Sequence, residues 1–251
     1  MTRFEGKTAL VTGGRTGIGF YIASALVEQG ARVVLTARSA DKLQEVADGF
    51  GADRAIAVAG DTNDPEHREA AVQTAIERFG SLDLLVNNTG GAEEFGVPAV
   101  EADLAAFRAT MEINVVATLG WTQVAWRAWL GEHGGAVLNV SSIAGEVAIP
   151  GGAAYSAAKA ALTHLTRQLA FELAPTVRVN SIAPAIVPTD LSRAYYGSRE
   201  QELTATYPLG RFAEPGDLGA AATFLLSDDA AWITGQSLVL DGGRLLNHGT
   251  L

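Results

Sequence analysis

Tyr155 and Lys159 stand four residues apart in Tyr155-Ser156-Ala157-Ala158-Lys159, inside a segment with helical apolar spacing. On a helix that separation puts both side chains on one face, about one turn apart. An unperturbed tyrosine titrates near ~10, so acid/base work near neutrality needs its pKa lowered by about three units, roughly 4 kcal/mol. A cation about 5 Å away supplies about 3 kcal/mol at an effective dielectric near 20. A neighbouring lysine is therefore of the right size to help. Taken alone, such a pair is more often an ordinary helix-surface pair, so its setting has to decide.

A second chemical signal lies near the N-terminus, in Thr12-Gly13-Gly14-Arg15-Thr16-Gly17-Ile18-Gly19. Gly13 permits a tight turn, Gly17 keeps side chains away from a pyrophosphate, and Gly19 allows a helix to pack closely on a strand. The helix that opens there presents free N–H groups and a partial positive charge to an anion. The spacing is G-x-x-x-G-x-G, which an ordinary glycine-rich turn could also carry. Its position between the first strand and the first helix points to a dinucleotide. The next strand ends in Thr36-Ala37-Arg38. An acidic residue there would bind the adenosine ribose 2′-hydroxyl of NAD, whereas Arg38 suits a 2′-phosphate and favours NADP. The bland alternative for Arg38 is a solvated loop cation.

These residues need elements to position them. Strands are expected at Thr8–Val11, Arg32–Leu35, Ala55–Val58, Leu82–Val86, Ala136–Val140, Arg178–Ile182 and Ser237–Leu240. Most are nearly continuous apolar runs, as in parallel strands covered on both faces. Helices are expected at Gly17–Gln29, Asp41–Asp48, Pro65–Phe79, Glu101–Trp129, Ala153–Leu173 and Pro215–Leu226. The alternation implies one α/β domain over 1–251: a single-domain Rossmann fold, a doubly wound seven-stranded parallel sheet with helices on both faces. The proline-punctuated stretch of about 185–212, with a helical piece around Leu191–Thr206, is the expected substrate lid.

Composition narrows the classes. With 18 Lys+Arg against 28 Asp+Glu the net charge is -10, and no basic run suggests nucleic-acid binding. There are no cysteines, and the four histidines (His67, His133, His164, His248) have no metal-ligand spacing, so no metal is expected. No signal-peptide pattern or long apolar run occurs, which makes a cytoplasmic protein without a membrane partner the expectation.

Further motifs follow the strands: Asp61-Thr62 after the third, Asn87-Asn88-Thr89-Gly90 after the fourth, Ser141-Ser142 after the fifth, and Asn114 within the long helix. With the glycine turn and Tyr155-x-x-x-Lys159, they resemble the classical short-chain dehydrogenase/reductase family, and most of all its 3-oxoacyl-(acyl-carrier-protein) reductase-like group. The resemblance runs from Lys7 to Asp241-Gly242-Gly243 and includes Pro208-Leu209-Gly210-Arg211 and Trp232-Ile233-Thr234-Gly235-Gln236.

That resemblance implies Tyr155 as acid/base, assisted by Lys159 and by the positive charge of the oxidised nicotinamide. Ser142, at the family's spacing before Tyr155, would orient the carbonyl. Asn114 would hold a water linking the lysine to solvent. Lys159 would also bond the nicotinamide ribose. Gly13, Arg15, Thr16, Gly17, Ile18 and Gly19 would cradle the phosphates. Asp61 and Thr62 (the latter through its backbone) would meet the adenine, and Asn88 and Gly90 would line the adenosine side. Pro184, Val187 and Thr189 would hold the carboxamide, while Asn87 either shares in this or ties neighbouring strands. Thr89 stands where the family usually has alanine, and Ala185 where it usually has glycine. Thr16 stands where many NADP-preferring members have a basic residue, so NADP is favoured with NAD still open.

The implied activity is NADP(H)-dependent reduction of a ketone, with a 3-oxoacyl thioester in the range of substrates. An NAD-dependent alcohol, sugar or steroid dehydrogenase is the alternative, and a non-catalytic nucleotide-binding sensor or scaffold is the alternative of another class. Ile143, Val147, Ile149, Leu191, Tyr195, Tyr196 and Tyr207 would form a mostly apolar pocket. Arg193, Arg199 and Arg211 are either contacts for an acyl-carrier phosphate or surface charges. The helices Glu101–Trp129 and Ala153–Leu173 carry more apolar surface than one sheet face needs, with Trp121, Trp126 and Trp129; the resemblance, in whose family these two helices build subunit interfaces, implies a homotetramer, and the alternative is a fully buried helix in a monomer.

Overall fold

The computed structural model describes residues 2–189, 192–193 and 196–246. Seven parallel strands form one sheet in the order β3-β2-β1-β4-β5-β6-β7. They are β1 (Thr8–Thr12), β2 (Arg32–Ala37), β3 (Ala55–Ala59), β4 (Leu84–Asn87), β5 (Gly135–Val140), β6 (Val177–Pro184) and β7 (Ser237–Leu240). Each expected strand exists, with ends shifted by at most two residues. The helices are α1 (Gly17–Glu28), α2 (Ala40–Phe50), α3 (Pro65–Phe79), α4 (Leu104–Met111), α5 (Ala117–Ala125), α6 (Gly131–His133), α7 (Ala153–Leu173), α8 (Glu200–Thr204) and α9 (Pro215–Leu226).

The Rossmann arrangement follows from this order. Chain direction across the sheet reverses between β1 and β4, which pair through Ala9↔Leu84, Leu10↔Leu85 and Val11↔Val86. A crevice opens outside the carboxyl ends at such a point, and ligands bind there. Alternating side chains of β1 serve both faces. Ala9 and Val11 join a core with Ile22, Leu26 and Leu218. Leu10 joins Val72, Trp121 and Leu169 on the other face.

The expected helix Glu101–Trp129 differs in three ways. It starts at Leu104, because the Asp103 carboxylate accepts the Ala105 N–H at 2.7 Å and caps it. It runs on as far as His133 and stops where Gly134 turns to φ +77°. Two wider π-turns, Glu112–Val116 and Trp126–Leu130, interrupt it. The first carries Asn114, in keeping with the habit of π-bulges to fall at functional sites.

Of the three tryptophans, Trp121 is buried at 1% exposed, whereas Trp126 and Trp129 pack on the same core only half-buried. The exposed apolar side chains include Leu104 and Val116 on the same long helix, Phe171 on α7, Phe224 on α9, Trp232, and Leu238 and Val239 on the edge strand β7. Of the helical piece expected at Leu191–Thr206, Leu191, Ala194 and Tyr195 lie outside the described residues, and α8 covers only Glu200–Thr204. Among the described residues no helix is long and apolar enough to cross a membrane.

Candidate active site

The glycine turn follows β1 directly. Gly13 (φ +64°) and Gly17 (φ +58°) adopt left-handed backbone that other residues rarely take. A Cβ on Gly19 would come within 2.4 Å of the Gly13 carbonyl oxygen, so only glycine lets α1 start this close to the strand. Thr16 sits at the N-cap of α1 without a side-chain cap bond, and the first turn has no acidic residue. The N-terminal N–H groups and the helix dipole are thus left to an outside anion. Arg15 is partly exposed and Arg38 exposed; neither forms an ion pair among the described residues. A bare backbone cradle, an uncapped helix start and two unpaired cations fit a phosphate-bearing dinucleotide.

Asn88 holds the cradle from the neighbouring strand end. Its amide donates to Thr12 O at 2.9 Å and Gly13 O at 3.2 Å. The Thr12 hydroxyl accepts the N–H groups of Asn88 and Thr89 at 2.9 and 3.0 Å. Thr12 is thus a site-building residue not singled out in the sequence. Its only signal is a hydroxyl at the last strand position before the turn. Asn87 is buried and turns away from the crevice, donating to Asn139 Oδ1 at 2.9 Å and Thr122 Oγ1 at 3.2 Å. Of its two expected roles, it plays the strand-tying one.

Asp61 is exposed and accepts the Asn63 N–H. Thr62 is buried beside it, its hydroxyl taken by the Trp121 indole N–H and its carbonyl by Arg68, both at 2.8 Å. The hydroxyl and the carbonyl of Thr62 are therefore both spent on the protein. Pro184 ends β6. Beyond it Val187 is buried, and a hydroxyl turn closes the strap: Ser192 accepts the Thr189 N–H at 2.9 Å and donates to Val187 O at 2.5 Å. The methyl of Thr189 lies against Gly17, where a Cβ would meet it at 2.8 Å. The two ends of the expected cofactor groove thus touch. Ile18 packs partly buried on the core beneath.

β5 and α7 deliver the polar residues. Ser141 is buried and bonds Lys159 O at 3.1 Å and the Thr163 hydroxyl at 2.9 Å, tying strand to helix. Ser142 caps the short turn Ile143–Gly145, accepting Ala144 N–H at 3.1 Å, and its hydroxyl reaches Pro184 O at 3.5 Å. The Ser142 side chain also hydrogen-bonds Tyr155, pulling the phenol's pKa down. Burial is the larger influence and pushes it up.

Lys159 is 3% exposed, and burial lowers its pKa to about 8. Its ammonium donates to Val140 O at 2.9 Å and lies 5.5 Å above the centre of the Tyr155 ring. The expected lowering of the phenol by the lysine is therefore not met in the protein alone. The ammonium is itself desolvated, sits over the ring face and spends an N–H on a carbonyl, so the phenol stays protonated at neutral pH.

Asn114 is fully buried and completes the group. Its amide donates to Gly91 O and Thr110 O, both at 2.7 Å. A Cβ on Gly90 would meet Asn114 Oδ1 at 2.5 Å and Lys159 Nζ at 3.1 Å. The bareness of Gly90 is what lets the asparagine and the lysine approach the same space.

Comparison with known proteins agrees with this geometry. The family model described as enoyl-(acyl carrier protein) reductase matches residues 13–244. D-threitol dehydrogenase of Mycolicibacterium smegmatis is 39% identical over 245 residues, covering 96% of this chain and 94% of its own. The 3-oxoacyl-[acyl-carrier-protein] reductase of Vibrio cholerae is 35% identical over 243 residues, with 96% and 98% covered. A solved 7α-hydroxysteroid dehydrogenase, complexed with NADH and 7-oxo glycochenodeoxycholic acid, superposes with a TM-score of 0.90 at 33% identity, covering 96% of this chain and 95% of that one. Glycine cradle, serine–tyrosine–lysine group, sheet order and full-length similarity agree: the chain is an oxidoreductase of the short-chain dehydrogenase/reductase family, whose members use NAD(P)(H).

Proposed function

We propose that this chain is an NADP(H)-dependent carbonyl reductase interconverting a ketone and a secondary alcohol, with 3-oxoacyl thioesters inside the chemical range of its site. The observation that carries this reading is the meeting of Ser142, Tyr155 and Lys159 at the carboxyl end of β5 and the start of α7, beside the glycine cradle. The dinucleotide, when bound, supplies or accepts the hydride. Tyr155, held protonated by burial, gives its O–H to the carbonyl oxygen, and the Ser142 hydroxyl bonds the same oxygen and orients it. Both donors stabilise the charge that develops there, and holding them in place removes most of the entropic cost. Lys159 bonds the nicotinamide ribose and supports the phenol, and Asn114 holds the water that returns the proton.

The cradle of Gly13, Arg15, Thr16, Gly17, Ile18 and Gly19 takes the phosphates. Asp61, Thr62, Asn88 and Gly90 line the adenosine half, and Pro184, Val187 and Thr189 the carboxamide. The exposed, unpaired Arg38 supports NADP over NAD. Phe171, Phe224, Trp232 and the edge strand β7 expose apolar surface of the kind that assembly covers, and a homotetramer is part of this reading.

A second reading is an NAD-dependent alcohol, sugar or steroid dehydrogenase. It is favoured by the likeness to a steroid dehydrogenase complexed with NADH. Titration with NADPH and NADH, followed by reduced-nicotinamide fluorescence, separates the two. Tighter NADPH binding that Arg38→Ala abolishes supports the first, equal or tighter NADH binding the second, and no binding of either overturns both.

A further inference from the structure

The run Asn88-Thr89-Gly90 leaves β4 at its carboxyl end, beside β1, where the strand order reverses and the crevice opens. Its two outer residues face opposite halves of the site. Asn88 donates to Gly13 O and holds the glycine cradle. The bare face of Gly90 is turned to Asn114 Oδ1 and Lys159 Nζ. Thr89 stands between them and is partly exposed. Among the described residues its hydroxyl has no hydrogen-bond partner.

Contacts on both sides fix where that hydroxyl lies. The Thr89 N–H is spent on the Thr12 hydroxyl at 3.0 Å, which pins its backbone to the end of β1. A Cβ on Gly13 would meet Asn88 Nδ2 at 2.8 Å, Thr89 Oγ1 at 3.1 Å and Thr89 Cα at 3.5 Å. The Thr89 hydroxyl and the Asn88 amide therefore flank the bare side of Gly13 together. The amide already gives its N–H groups to Thr12 O and Gly13 O. The hydroxyl keeps its hydrogen. A threonine O–H donates to an oxygen acceptor, and the bond is stronger where that oxygen is charged. The sugar–phosphate chain of a dinucleotide carries such oxygens, and the uncapped start of α1 on the far side of Gly13 draws them to this turn. Alanine, usual in the family where Thr89 stands, has no hydrogen to give.

We infer that Thr89 is a further cofactor-binding residue, whose hydroxyl donates to an oxygen of the sugar–phosphate chain in the adenosine half of the dinucleotide. This deepens the dinucleotide reading of the glycine cradle and rests on it. The chain of sugar and phosphate is common to NADP(H) and NAD(H). Thr89 therefore adds affinity for both, and the choice between them stays with Arg38.

The test measures dissociation constants of the full-length protein for NADPH and NADH by reduced-nicotinamide fluorescence, and for ADP-ribose by calorimetry. Thr89→Val keeps the branched shape and removes the O–H, whereas Thr89→Ser keeps the O–H and removes the methyl. Thr89→Val is expected to raise all three constants about five- to tenfold, the loss of one hydrogen bond, with Thr89→Ser within about twofold of wild type. The ratio of NADPH to NADH affinity should hold in Thr89→Val and fall in Arg38→Ala. Thermal unfolding without ligand shows whether the valine is accommodated; where it is not, Thr89→Ala, the residue usual in the family, reads the same loss. Wild-type affinity in the variant without the O–H overturns the inference. So does a Thr89→Ser variant as weak as Thr89→Val, which marks the methyl as the contact. A changed NADPH to NADH ratio in Thr89→Val, or a loss on NADPH that ADP-ribose does not share, overturns it as well, because the contact then lies elsewhere on the dinucleotide. A wild-type protein that binds none of the three ligands overturns the dinucleotide reading beneath it.

Discussion

Trp121 donates its indole N–H to the hydroxyl of Thr62 across 2.8 Å of closed core. The bond joins the helix that follows Asn114 to the turn that follows β3, so one helix supports both halves of the crevice. His67 packs edge-on against the same indole at 5.6 Å, and Arg68 takes the Thr62 carbonyl. The Asp61-Thr62 turn is therefore held from above and below before any dinucleotide arrives.

Trp121→Phe keeps most of the ring volume and removes the bond. An intramolecular hydrogen bond contributes about 1 kcal/mol, and an orphaned buried hydroxyl costs somewhat more. The dinucleotide dissociation constant is expected to rise about fivefold, since ~1.4 kcal/mol is tenfold, with kcat at saturating dinucleotide within about twofold of wild type. Fluorescence titration beside steady-state kinetics checks this. A loss confined to kcat would show that the bond acts on the chemistry and not on cofactor binding.

Asn87 and Asn139 face each other in register on β4 and β5. Asn87 donates to Asn139, and Asn139 donates to the Thr166 hydroxyl at 2.9 Å, so a polar chain crosses the sheet beneath the crevice. Asn139→Ala strips one acceptor and one donor from partners that stay buried. Asn87 keeps its bond to Thr122 and Thr166 its bond to Leu162 O, so at about 1–2 kcal/mol for each bond lost a total of roughly 2–4 kcal/mol is expected. For a chain of this size that lowers Tm by about 5–10 °C. Thermal unfolding with and without Thr166→Val gives the coupling. Additive effects of the two substitutions would mean that the chain of bonds is not one unit.

Much of this was readable beforehand, for physical reasons that also mark the limits. Parallel strands buried on both faces write themselves as apolar runs, and a crevice at their carboxyl ends tells where to look, so Ser142, Tyr155 and Asn88 could be found one strand at a time. Contacts between distant elements leave no such trace. Nothing near Trp121 announces Thr62. The upward push of burial on Tyr155 in the protein alone leaves no trace in the sequence, because charge proximity follows from helical spacing whereas desolvation depends on what covers the side chain.

Lys159 carries a pH signature in stability. Burial lowers its pKa from 10.5 to about 8. Between those values the unfolded chain keeps a proton that the folded chain has lost, so stability rises with pH across that window; below about 8 the penalty is fully present. At roughly 1.4 kcal/mol per unit the penalty is about 3 kcal/mol, less about 1 kcal/mol for the bond to Val140 O. Lys159→Met should therefore raise stability near neutrality by about 2 kcal/mol while abolishing turnover, and the gain should vanish above pH 10.5. Denaturant unfolding at pH 7 and near pH 10 checks both parts. A variant less stable than wild type at pH 7 would mean that Lys159 is buried at no cost.

Gly19 and Gly49 both lie in helices, yet adding a methyl should have opposite effects. Gly49 is exposed near the end of α2, and a Cβ there meets nothing within 4 Å. Gly49→Ala removes backbone freedom from the unfolded chain and should stabilise by about 0.5–1 kcal/mol. Gly19 is buried, and its Cβ would press on the Gly13 carbonyl oxygen at 2.4 Å and on the Asn88 amide at 2.5 Å. Backbone cannot yield as a flexible side chain does, so overpacking of about 1–3 kcal/mol is expected. The same displacement moves the turn and the amide that hold the phosphate cradle. Gly19→Ala should therefore lose dinucleotide affinity by more than tenfold as well as stability, while Gly49→Ala binds like wild type. Thermal shift with and without NADPH reads both at once: the ligand-induced rise in Tm should survive in Gly49→Ala and disappear in Gly19→Ala. An undiminished rise in Gly19→Ala would place the dinucleotide phosphates elsewhere than on this turn.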